Sequence, residues 1–328
     1  MAKAIRFHET GGPEVLRVED VPVGDPGPGQ ARVRHTFCGV NFLDIYHRSG
    51  LYPLPLPSGL GTEAAGRVEA IGPGVTHVVP GDRVVSLALS APGSYAEARV
   101  IAADRLVKLP DGVDDETAAA VFLKGLTVHA LVRRTYAVKP GETVLWHAAA
   151  GGVGLLAVQW LKALGATVIG TVGSDEKAAL ARQHGCDHVI VYTRENFTQR
   201  VRELTGGAGV PVVYDSVGKA TFDGSLDCLR PRGLMVTFGN ASGAVPPFAP
   251  AVLSQKGSLF LTRPSVAHYV AARAELEAAA AELFRMIEAG QLRARVGGRW
   301  PLERAGEAQQ ALAERRTAGS LLIQIQST

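Results

Sequence analysis

The sequence predicts an α/β fold in which a doubly wound parallel sheet is joined to a second, β-rich domain. Two observations support this prediction. From residue 141 onward, short apolar segments alternate with helical patterns, as in successive βαβ units. Before residue 120, short apolar segments are instead separated by glycine and proline clusters, which is typical of a compact, barrel-like β domain.

The β-rich part shows its strands by alternation and by turn signals. Strands are predicted at residues 31–36, 66–71 and 82–87, and clusters such as Gly72-Pro73-Gly74 lie between them. A helix begins near residue 114 and leads into residues 124–136. We therefore expect a first domain over residues 1–122.

The second part alternates strands with helices. Strands are predicted at residues 143–146, 167–171, 187–191, 212–215, 234–238 and 258–262. Helices are predicted at residues 175–184, 195–204, about 220–229 and 270–289. We expect this second domain to span residues 123–289. Residues 290–328 complete the first domain, with an apolar strand at 320–326 that returns to it.

Residues 141–162 read GETVLWHAAAGGVGLLAVQWLK, a strand followed by a turn of small residues and a helix. This order opens a dinucleotide-binding βαβ unit, in which the turn brings backbone N–H groups and the positive end of the helix against a pyrophosphate. Ala149 stands where the first glycine of the usual pattern would be, which a negative φ would allow. The predicted pyrophosphate segment is Ala150, Gly151, Gly152 and Val153.

Composition limits the classes of function. A chain of 328 residues with a net charge of +3 gives no basic surface for nucleic acid and no charge-driven membrane surface. The three cysteines form neither a CxxC pair nor a disulfide framework, which fits a reducing compartment. No segment has the length or apolarity of a membrane span or signal peptide, so a cytoplasmic protein is expected.

The residues around the glycine turn resemble the zinc-free quinone oxidoreductase (zeta-crystallin-like) branch of the medium-chain dehydrogenase/reductase superfamily. The matching positions are Gly141, Glu142, Leu145, Ala149, Ala150, Gly151, Gly152, Gly154, Gln159 and Lys162. Further stretches resemble bacterial NADPH:quinone reductases, among them GVNFLDIYHRSGLYP, LPSGLGTEAAG, FLKGLTVHALVRRTY, VVYDSVGK, LMVTFGNASG and LTRPS. The resemblance implies a Rossmann domain for NADPH, a GroES-like catalytic domain, a cofactor in the cleft between them and a homodimer.

Zinc members of that superfamily carry a ligand cysteine and a ligand histidine at two positions that differ here. Asn41 and Thr62 occupy them, and the loop of four cysteines is missing. Asn and Thr are poor zinc ligands, so no metal is expected. Without a Lewis acid to stabilise an alkoxide, the chemistry points away from alcohols and towards quinones or activated alkenes. Cys38 is then expected to be a small buried apolar residue.

The end of the second strand of the βαβ series indicates the cofactor. NAD-specific sheets place an acid there for the ribose 2′-hydroxyl. Here Gly173 and Ser174 follow that strand, with Lys177 one turn later and Tyr192 after the third strand. A small residue, a hydroxyl and a cation suit a 2′-phosphate, so NADPH is favoured over NADH. Asp175 and Glu176 weigh against this preference unless they act only as acids in the first helical turn.

The resemblance supplies the remaining site candidates. Catalytic candidates near the nicotinamide are Asn41, Tyr46 and Tyr52, where a tyrosine could donate to a developing quinone oxyanion or merely pack the loop. Asp44 is expected to brace the turn. Further cofactor-binding candidates are Thr127, whose hydroxyl could instead bond its own helix, Ser216, Phe238, Gly239, Asn240, Arg263 and Arg315, which could reach the 2′-phosphate. Asn41 belongs to this set as well. His47, His129 and His147 are expected to be structural or exposed.

The sequence therefore predicts NADPH-dependent reduction of quinones. An alkenal or enone double-bond reductase on the same scaffold is the nearest alternative. An alternative of another class is a nucleotide-regulated RNA-binding protein, since some relatives bind AU-rich RNA, but the modest charge and lack of an arginine-rich run disfavour it. No nucleic-acid or membrane partner is expected.

Overall fold

The computed structural model describes residues 1–325, and its contacts divide the chain into two units. The first comprises Met1–Lys124, Ala271–Ala289 and the residues from Ala294 onward, and the second comprises Gly125–Val270 and Gly290–Arg293. The predicted fold class is confirmed, because one unit is built on mainly antiparallel sheets of the GroES-like kind and the other on a parallel Rossmann sheet. Within residues 1–325, no helix has the length and apolarity needed to cross a membrane.

The first part of the chain contains eight strands and two helices. In chain order the elements are β1 (Ala2–Phe7), β2 (Arg17–Val21), β3 (Gln30–Val40), α1 (Phe42–Arg48), β4 (Ser58–Gly59), β5 (Glu63–Ile71), β6 (Arg83–Leu87), β7 (Ala98–Ala102), β8 (Leu106–Lys108) and α2 (Asp115–His129). Helix α2 begins in the first unit and continues through a π-helical segment, Ala130–Thr135. The three strands predicted here exist, and β3 and β5 are longer than predicted.

The second unit follows the predicted alternation of strands and helices. Its elements are β9 (Thr143–Trp146), α3 (Gly152–Ala163), β10 (Thr167–Val172), α4 (Asp175–Gln183), β11 (His188–Val191), α5 (Phe197–Leu204), β12 (Val210–Asp215), α6 (Phe222–Asp227), β13 (Leu229–Thr237), α7 (Ala251–Gln255), β14 (Phe260–Thr262) and α8 (Val266–Tyr269). The six strands pair in parallel in the order β11-β10-β9-β12-β13-β14. Their carboxyl ends therefore share one edge, where ligands of such sheets bind.

The C-terminal part adds α9 (Arg273–Glu288), β15 (Val296–Pro301), α10 (Ala305–Ala313) and β16 (Ser320–Gln324). Strand β16 pairs antiparallel with β3, with Leu322 opposite Gly39, so the predicted return of this strand to the first domain is confirmed. The last residue of the predicted strand, residue 326, lies outside the described residues. One sheet of the first unit runs β15-β16-β3-β5-β6-β8 with β7 on β3, and the other runs β2-β1-β4.

Two elements differ from the prediction for physical reasons. Strand β13 begins at Leu229, five residues before the predicted start at residue 234. The predicted start is later because Pro231 and Gly233 resemble a turn in sequence. In the structure Arg232 has φ +61°, and the pairing of β12 with β13 shifts register beside Val210, so the segment is an irregular strand rather than a loop.

Helix α9 belongs by its contacts to the first unit, whereas the predicted boundary placed it in the second. The rings of Phe122 and Phe284 stack with centroids 6.0 Å apart. The Arg273 guanidinium donates to the carbonyls of Asp104 and Leu106, both at 3.0 Å. An amphipathic helix shows in sequence that it has an apolar face, but not which neighbour covers that face.

Candidate functional site

The glycine turn connects β9 to α3 at the carboxyl edge of the parallel sheet. Gly151 is the N-cap of α3, with φ −75°, so the first N–H groups of the helix, beginning with those of Gly152 and Val153, have no partner within the helix. Ala148, not Ala149, adopts the left-handed conformation of the turn, with φ +55°. A Cβ on Gly154 would lie 2.3 Å from the carbonyl oxygen of Ala148, so this glycine allows the helix to pack directly on the turn. The turn is therefore shaped to present backbone N–H groups to an anion.

The residues predicted at the end of the second parallel strand come together. Ser174 is the N-cap of α4, and its hydroxyl accepts from the backbone N–H of Lys177 at 3.3 Å. A Cβ on Gly173 would lie 2.8 Å from the Tyr192 hydroxyl oxygen, so the Tyr192 ring lies close against the Gly173 backbone. Gly173, Ser174 and Tyr192 thus lie together at the edge of the sheet, with Lys177 in the first turn of α4.

The two acids beside this group are already engaged. Arg194 donates to both oxygens of Asp175, at 2.6 and 2.7 Å. This hydrogen bonding holds the pKa of the Asp175 carboxyl below its ordinary value, and a hydrogen bond with Ser174 does the same for Glu176. Arg194 was not among the predicted site residues, and its only sequence signal is a position two residues after Tyr192. With Arg194 on Asp175, the charge of this carboxylate is paired within the protein.

The ends of the fourth and fifth parallel strands also meet. A Cβ on Gly239 would lie 2.4 Å from the carbonyl oxygen of Ser216, so the two loops are in direct contact. Arg263 donates to the Thr237 hydroxyl and to the Gly239 carbonyl, both at 3.0 Å, which fixes the segment that continues from Phe238 to Asn240. The five predicted residues Ser216, Phe238, Gly239, Asn240 and Arg263 therefore lie on one stretch of the sheet edge.

In the first unit, Asn41 lies beside a buried ion pair. Its amide Nδ2 donates to Glu63 Oε1 at 2.8 Å, and Lys124 Nζ lies 3.0 Å from the same oxygen. The backbone N–H of Leu123 donates to Glu63 Oε2 at 2.6 Å. A Cβ on Gly39 would lie 2.0 Å from Glu63 Oε1, so the carboxylate rests on the bare backbone of β3. The amide of Asn41 is thus oriented by an acid whose own charge is compensated.

Asp44 has the bracing role expected from sequence. Its carboxylate accepts from the backbone N–H of Asn41 and from the Tyr95 hydroxyl, each at 2.8 Å. Because the group is buried, its pKa is raised to about 7. Cys38 is fully buried, as expected, and its Sγ donates to the Ser94 carbonyl at 2.8 Å. Burial raises the pKa of this thiol well above its ordinary value, so Cys38 is an inert apolar residue.

Tyr46 and Tyr52 are brought together by α1 and the loop after it. Their ring centroids are 5.3 Å apart in an edge-to-face arrangement, and the Tyr52 N–H donates to the Tyr46 carbonyl at 3.0 Å. Asn41 is the N-cap of the same helix. The three catalytic candidates therefore occupy one helix and its flanking residues, where two phenol groups and an amide can bind a small polar molecule.

Two further predicted cofactor residues, Thr127 and Arg315, lie in different units. Thr127 is half-buried on α2 in the second unit. Arg315 follows α10 in the first unit and has φ +56°. Of the three histidines expected to be structural, His147 is buried in a hydrogen-bond network and His129 packs edge-to-face on Trp160, with ring centroids 6.0 Å apart. His47 is 6% exposed, and burial lowers its pKa.

The two residues at the superfamily's zinc-ligand positions have hydrogen-bond partners within the protein. Asn41 bonds Glu63, and the Thr62 hydroxyl faces Asp44 Oδ1 at 3.5 Å. In residues 1–325, no group of three or more His, Cys, Asp or Glu side chains is arranged to hold a metal ion. The role of Lys124 in this arrangement was missed, although a lysine inside the apolar helical run FLKGL is a signal of a buried, paired charge.

Known proteins are similar to this chain over nearly its whole length. A family model described as zinc-binding dehydrogenase matches residues 152–285, and one described as alcohol dehydrogenase GroES-like domain matches residues 27–111. A quinone oxidoreductase of Pseudomonas aeruginosa is 55% identical over 98% of this chain and 99% of its own length. A 2-haloacrylate reductase of a Burkholderia species is 46% identical over the same shares of both chains. The crystal structure of Escherichia coli quinone oxidoreductase complexed with NADPH matches with a TM-score of 0.97 and 51% identity, covering 99% of this chain and 100% of that one.

Proposed function

This chain belongs to the quinone oxidoreductase family of the medium-chain dehydrogenase/reductase superfamily, and we propose that it is an enzyme that reduces quinones with NADPH. The observation that carries the proposal is the full-length similarity to quinone oxidoreductases. This similarity covers both units, and therefore includes both the sheet edge predicted to bind the nucleotide and the segment around Asn41.

The residues at the edge of the parallel sheet fit NADPH. The N-terminus of α3 offers backbone N–H groups for the pyrophosphate. Ser174, Lys177 and Tyr192 form a group with two hydroxyls and a cation that suits a phosphate monoester, and Gly173 leaves the room that this grouping needs. Asp175 is neutralised by Arg194, so it does not repel a 2′-phosphate as a bare acid would.

The reaction needs little from the protein beyond binding and hydrogen bonding. Bound NADPH supplies the reducing equivalents from its nicotinamide ring. Tyr46 or Tyr52 donates a hydrogen bond to the quinone oxygen as negative charge develops there, and Asn41 orients the bound molecules through its amide. Glu63 and Lys124 hold that amide in place. In the second unit, Arg263, Ser216, the segment Phe238, Gly239 and Asn240, and Thr127 would hold the cofactor along and beside the strand ends.

The proposal includes a metal-independent mechanism. Asn41 and Thr62 replace two ligands of a zinc site, and Glu63, which accepts from the Asn41 amide, is compensated by Lys124. Metal analysis of the purified protein tests this part, because stoichiometric zinc would overturn it. We expect NADPH oxidation to continue in the presence of a strong chelator.

We further propose a cytoplasmic homodimer. The edge strand β14 carries Phe260, which is 61% exposed, and such an edge can pair with a second copy. The three cysteines are free and buried, which suits a reducing compartment. Sedimentation of the purified protein and of Phe260→Glu tests the dimer. A wild-type monomer would overturn the dimer, and a Phe260→Glu variant that remains dimeric would exclude pairing through β14.

The decisive experiment for the activity compares acceptors. NADPH oxidation is measured with 1,4-benzoquinone, 9,10-phenanthrenequinone and a 2-alkenal, and the quinone assays are repeated with NADH. We expect turnover of the quinones and a lower KM for NADPH than for NADH. Turnover of the alkenal alone would instead assign the chain to double-bond reduction, the chemistry suggested by the name of its 2-haloacrylate reductase relative.

A further inference from the structure

A buried chain of four polar side chains lies directly under the glycine turn. His147 Nδ1 lies 2.8 Å from the Thr171 hydroxyl, and His147 Nε2 lies 2.9 Å from the Ser225 hydroxyl. The Ser225 hydroxyl donates to Asp215 Oδ2 at 2.8 Å. All four residues are at most 1% exposed. They come from β10, the residue after β9, α6 and the end of β12, so the chain of hydrogen bonds joins three neighbouring strands of the sheet to helix α6.

The direction of each hydrogen bond follows from the Asp215 end. Asp215 Oδ1 accepts from the backbone N–H groups of Val217 and Gly218, and Oδ2 accepts from the hydroxyls of Thr221 and Ser225. Because the Asp215 carboxylate faces four donors, it acts only as an acceptor, and the Ser225 hydroxyl proton therefore points to Asp215. The Ser225 oxygen must then accept from His147.

The ring of His147 therefore carries its proton on Nε2 and accepts the Thr171 hydroxyl proton at Nδ1. Burial lowers the pKa of His147, although the Asp215 charge acts in the opposite direction. With Ser225 donating to Asp215, the neutral ring fits its partners only as the tautomer with the proton on Nε2, and burial disfavours the charged ring. The network and its burial thus favour one protonation state of the histidine.

His147 also connects this network to the strained residue of the glycine turn. His147 immediately precedes Ala148, whose left-handed backbone is unfavourable for a residue with a Cβ. The backbone N–H of His147 donates to the Tyr214 carbonyl at 3.0 Å, and that of Ala149 donates to the Thr171 carbonyl at 3.0 Å. Such strain persists where the surroundings over-determine the backbone, and here the two neighbouring strands hold both sides of Ala148.

The other end of the network orders a second predicted cofactor segment. By accepting from Val217 and Gly218, Asp215 fixes the loop that contains Ser216. The carbonyl of Ser216 in turn accepts from Ala241 at 3.2 Å and contacts Gly239. One buried histidine therefore connects the pyrophosphate turn to the loops after β12 and β13.

We propose that His147 is a positioning residue for NADPH binding, acting through the directed chain Thr171–His147–Ser225–Asp215. The inference rests on the proposed function, because it assigns to His147 the geometry of a site for that cofactor. It touches no reacting atom, so its effect should fall on cofactor binding more than on turnover.

The first test is the protonation state of the ring. In protein labelled with ¹⁵N in its nine histidines, the His147 signals are assigned by their loss in His147→Asn. We expect a protonated Nε2 and an unprotonated Nδ1 at neutral pH. A proton on Nδ1, or a charged ring at neutral pH, would overturn the proposal.

The second test measures NADPH binding by titration calorimetry in Thr171→Val and Ser225→Ala, which remove one hydroxyl each and leave the ring. We expect each to raise the Kd by roughly three- to tenfold, the size of one lost hydrogen bond, with a smaller effect on kcat. Thr205→Val is the matched control, since it also removes a hydroxyl that is hydrogen-bonded within the second unit, to Val201 and Gly209, outside this network.

The outcomes separate the two proposals. Wild-type binding of NADPH with equal Kd changes in Thr171→Val and Thr205→Val would refute the positioning role and leave the proposed function standing. Failure of the wild-type protein to bind NADPH would refute both. If His147→Asn does not fold, the ring signals are assigned by their shift in Thr171→Val instead.

Discussion

Lys124 and Glu63 form a buried ion pair, with Nζ and Oε1 3.0 Å apart and side chains 6% and 0% exposed. Asn41 and the backbone N–H of Leu123 supply the other hydrogen bonds to the carboxylate. Where zinc relatives of the superfamily would place a ligand cysteine, this chain has an amide bound to a compensated acid. The local charge is thus balanced by protein groups alone, which gives the first prediction.

Lys124→Met leaves the Glu63 carboxylate buried without its counter-charge, and we expect it to lower the free energy of unfolding by about 3 kcal/mol. The double variant Lys124→Met, Glu63→Gln keeps an acceptor for Asn41 and removes the charge, so it should recover much of that loss. Urea unfolding of the single and double variants measures the coupling. Purely additive losses would show that the pair is not a coupled unit.

Gly154→Ala should disrupt the glycine turn. Its Cβ would lie 2.3 Å from the Ala148 oxygen and 2.7 Å from the Ala149 carbonyl carbon, both backbone atoms that cannot rotate away. We expect a loss of about 1–3 kcal/mol in unfolding free energy and weaker NADPH binding. Gly151→Ala is the control for the unfolding measurement, because its Cβ would meet only the Ala148 oxygen at 3.2 Å and its φ is −75°. Equal effects of both changes would contradict the packing role of Gly154.

Lys177→Ala tests the 2′-phosphate group. We expect the Kd for NADPH to rise by roughly tenfold, since a hydrogen bond to a charged group is worth about 1.5–3 kcal/mol, with little change for NADH. Arg182→Ala, which removes an exposed cation from the same helix, controls for general charge effects. The same loss of affinity for both cofactors would exclude Lys177 from 2′-phosphate binding.

Arg194→Ala should also weaken NADPH binding, because it exposes the charge of Asp175 beside the 2′-phosphate group. The double variant Arg194→Ala, Asp175→Ala should regain part of the affinity. Both effects should shrink at high salt, since the pair is on the surface. Titrations at two salt concentrations measure them. A double variant no better than Arg194→Ala would mean that Asp175 does not influence the cofactor.

The buried Asp44 carboxyl should make the free energy of unfolding depend on pH. Burial raises its pKa from 3.8 to about 7, so between these values the folded protein holds a proton that the unfolded chain releases. Its contribution to stability is therefore complete below about pH 4 and is lost as the pH rises through about 7. Asp44→Asn removes this dependence, and its unfolding free energy relative to wild type should increase from about pH 4.5 to about pH 7.5. Urea unfolding across this range is the measurement, and a constant difference would argue against the buried titration.

Local patterns in the chain were sufficient for most of the fold. Alternating strands and helices, ended by residues such as Gly165 and Gly185, identify the parallel sheet, because turn residues and apolar periodicity act within a few residues. The predicted cofactor segments rest on a general property of such sheets. In a parallel sheet all strands end at one edge, so residues after different strands meet there without any knowledge of side-chain contacts.

The partners of the polar side chains required the folded structure. Glu63 meets Lys124 across 61 positions, His147 meets Ser225 across 78, and Asp175 meets Arg194 across 19. Nothing in a one-dimensional pattern encodes such pairings, since hydrogen bonds of this kind depend on how separate elements pack. The sequence therefore predicted a nucleotide site at the sheet edge, while packing determined which charges are compensated and which hydrogen bonds His147 makes.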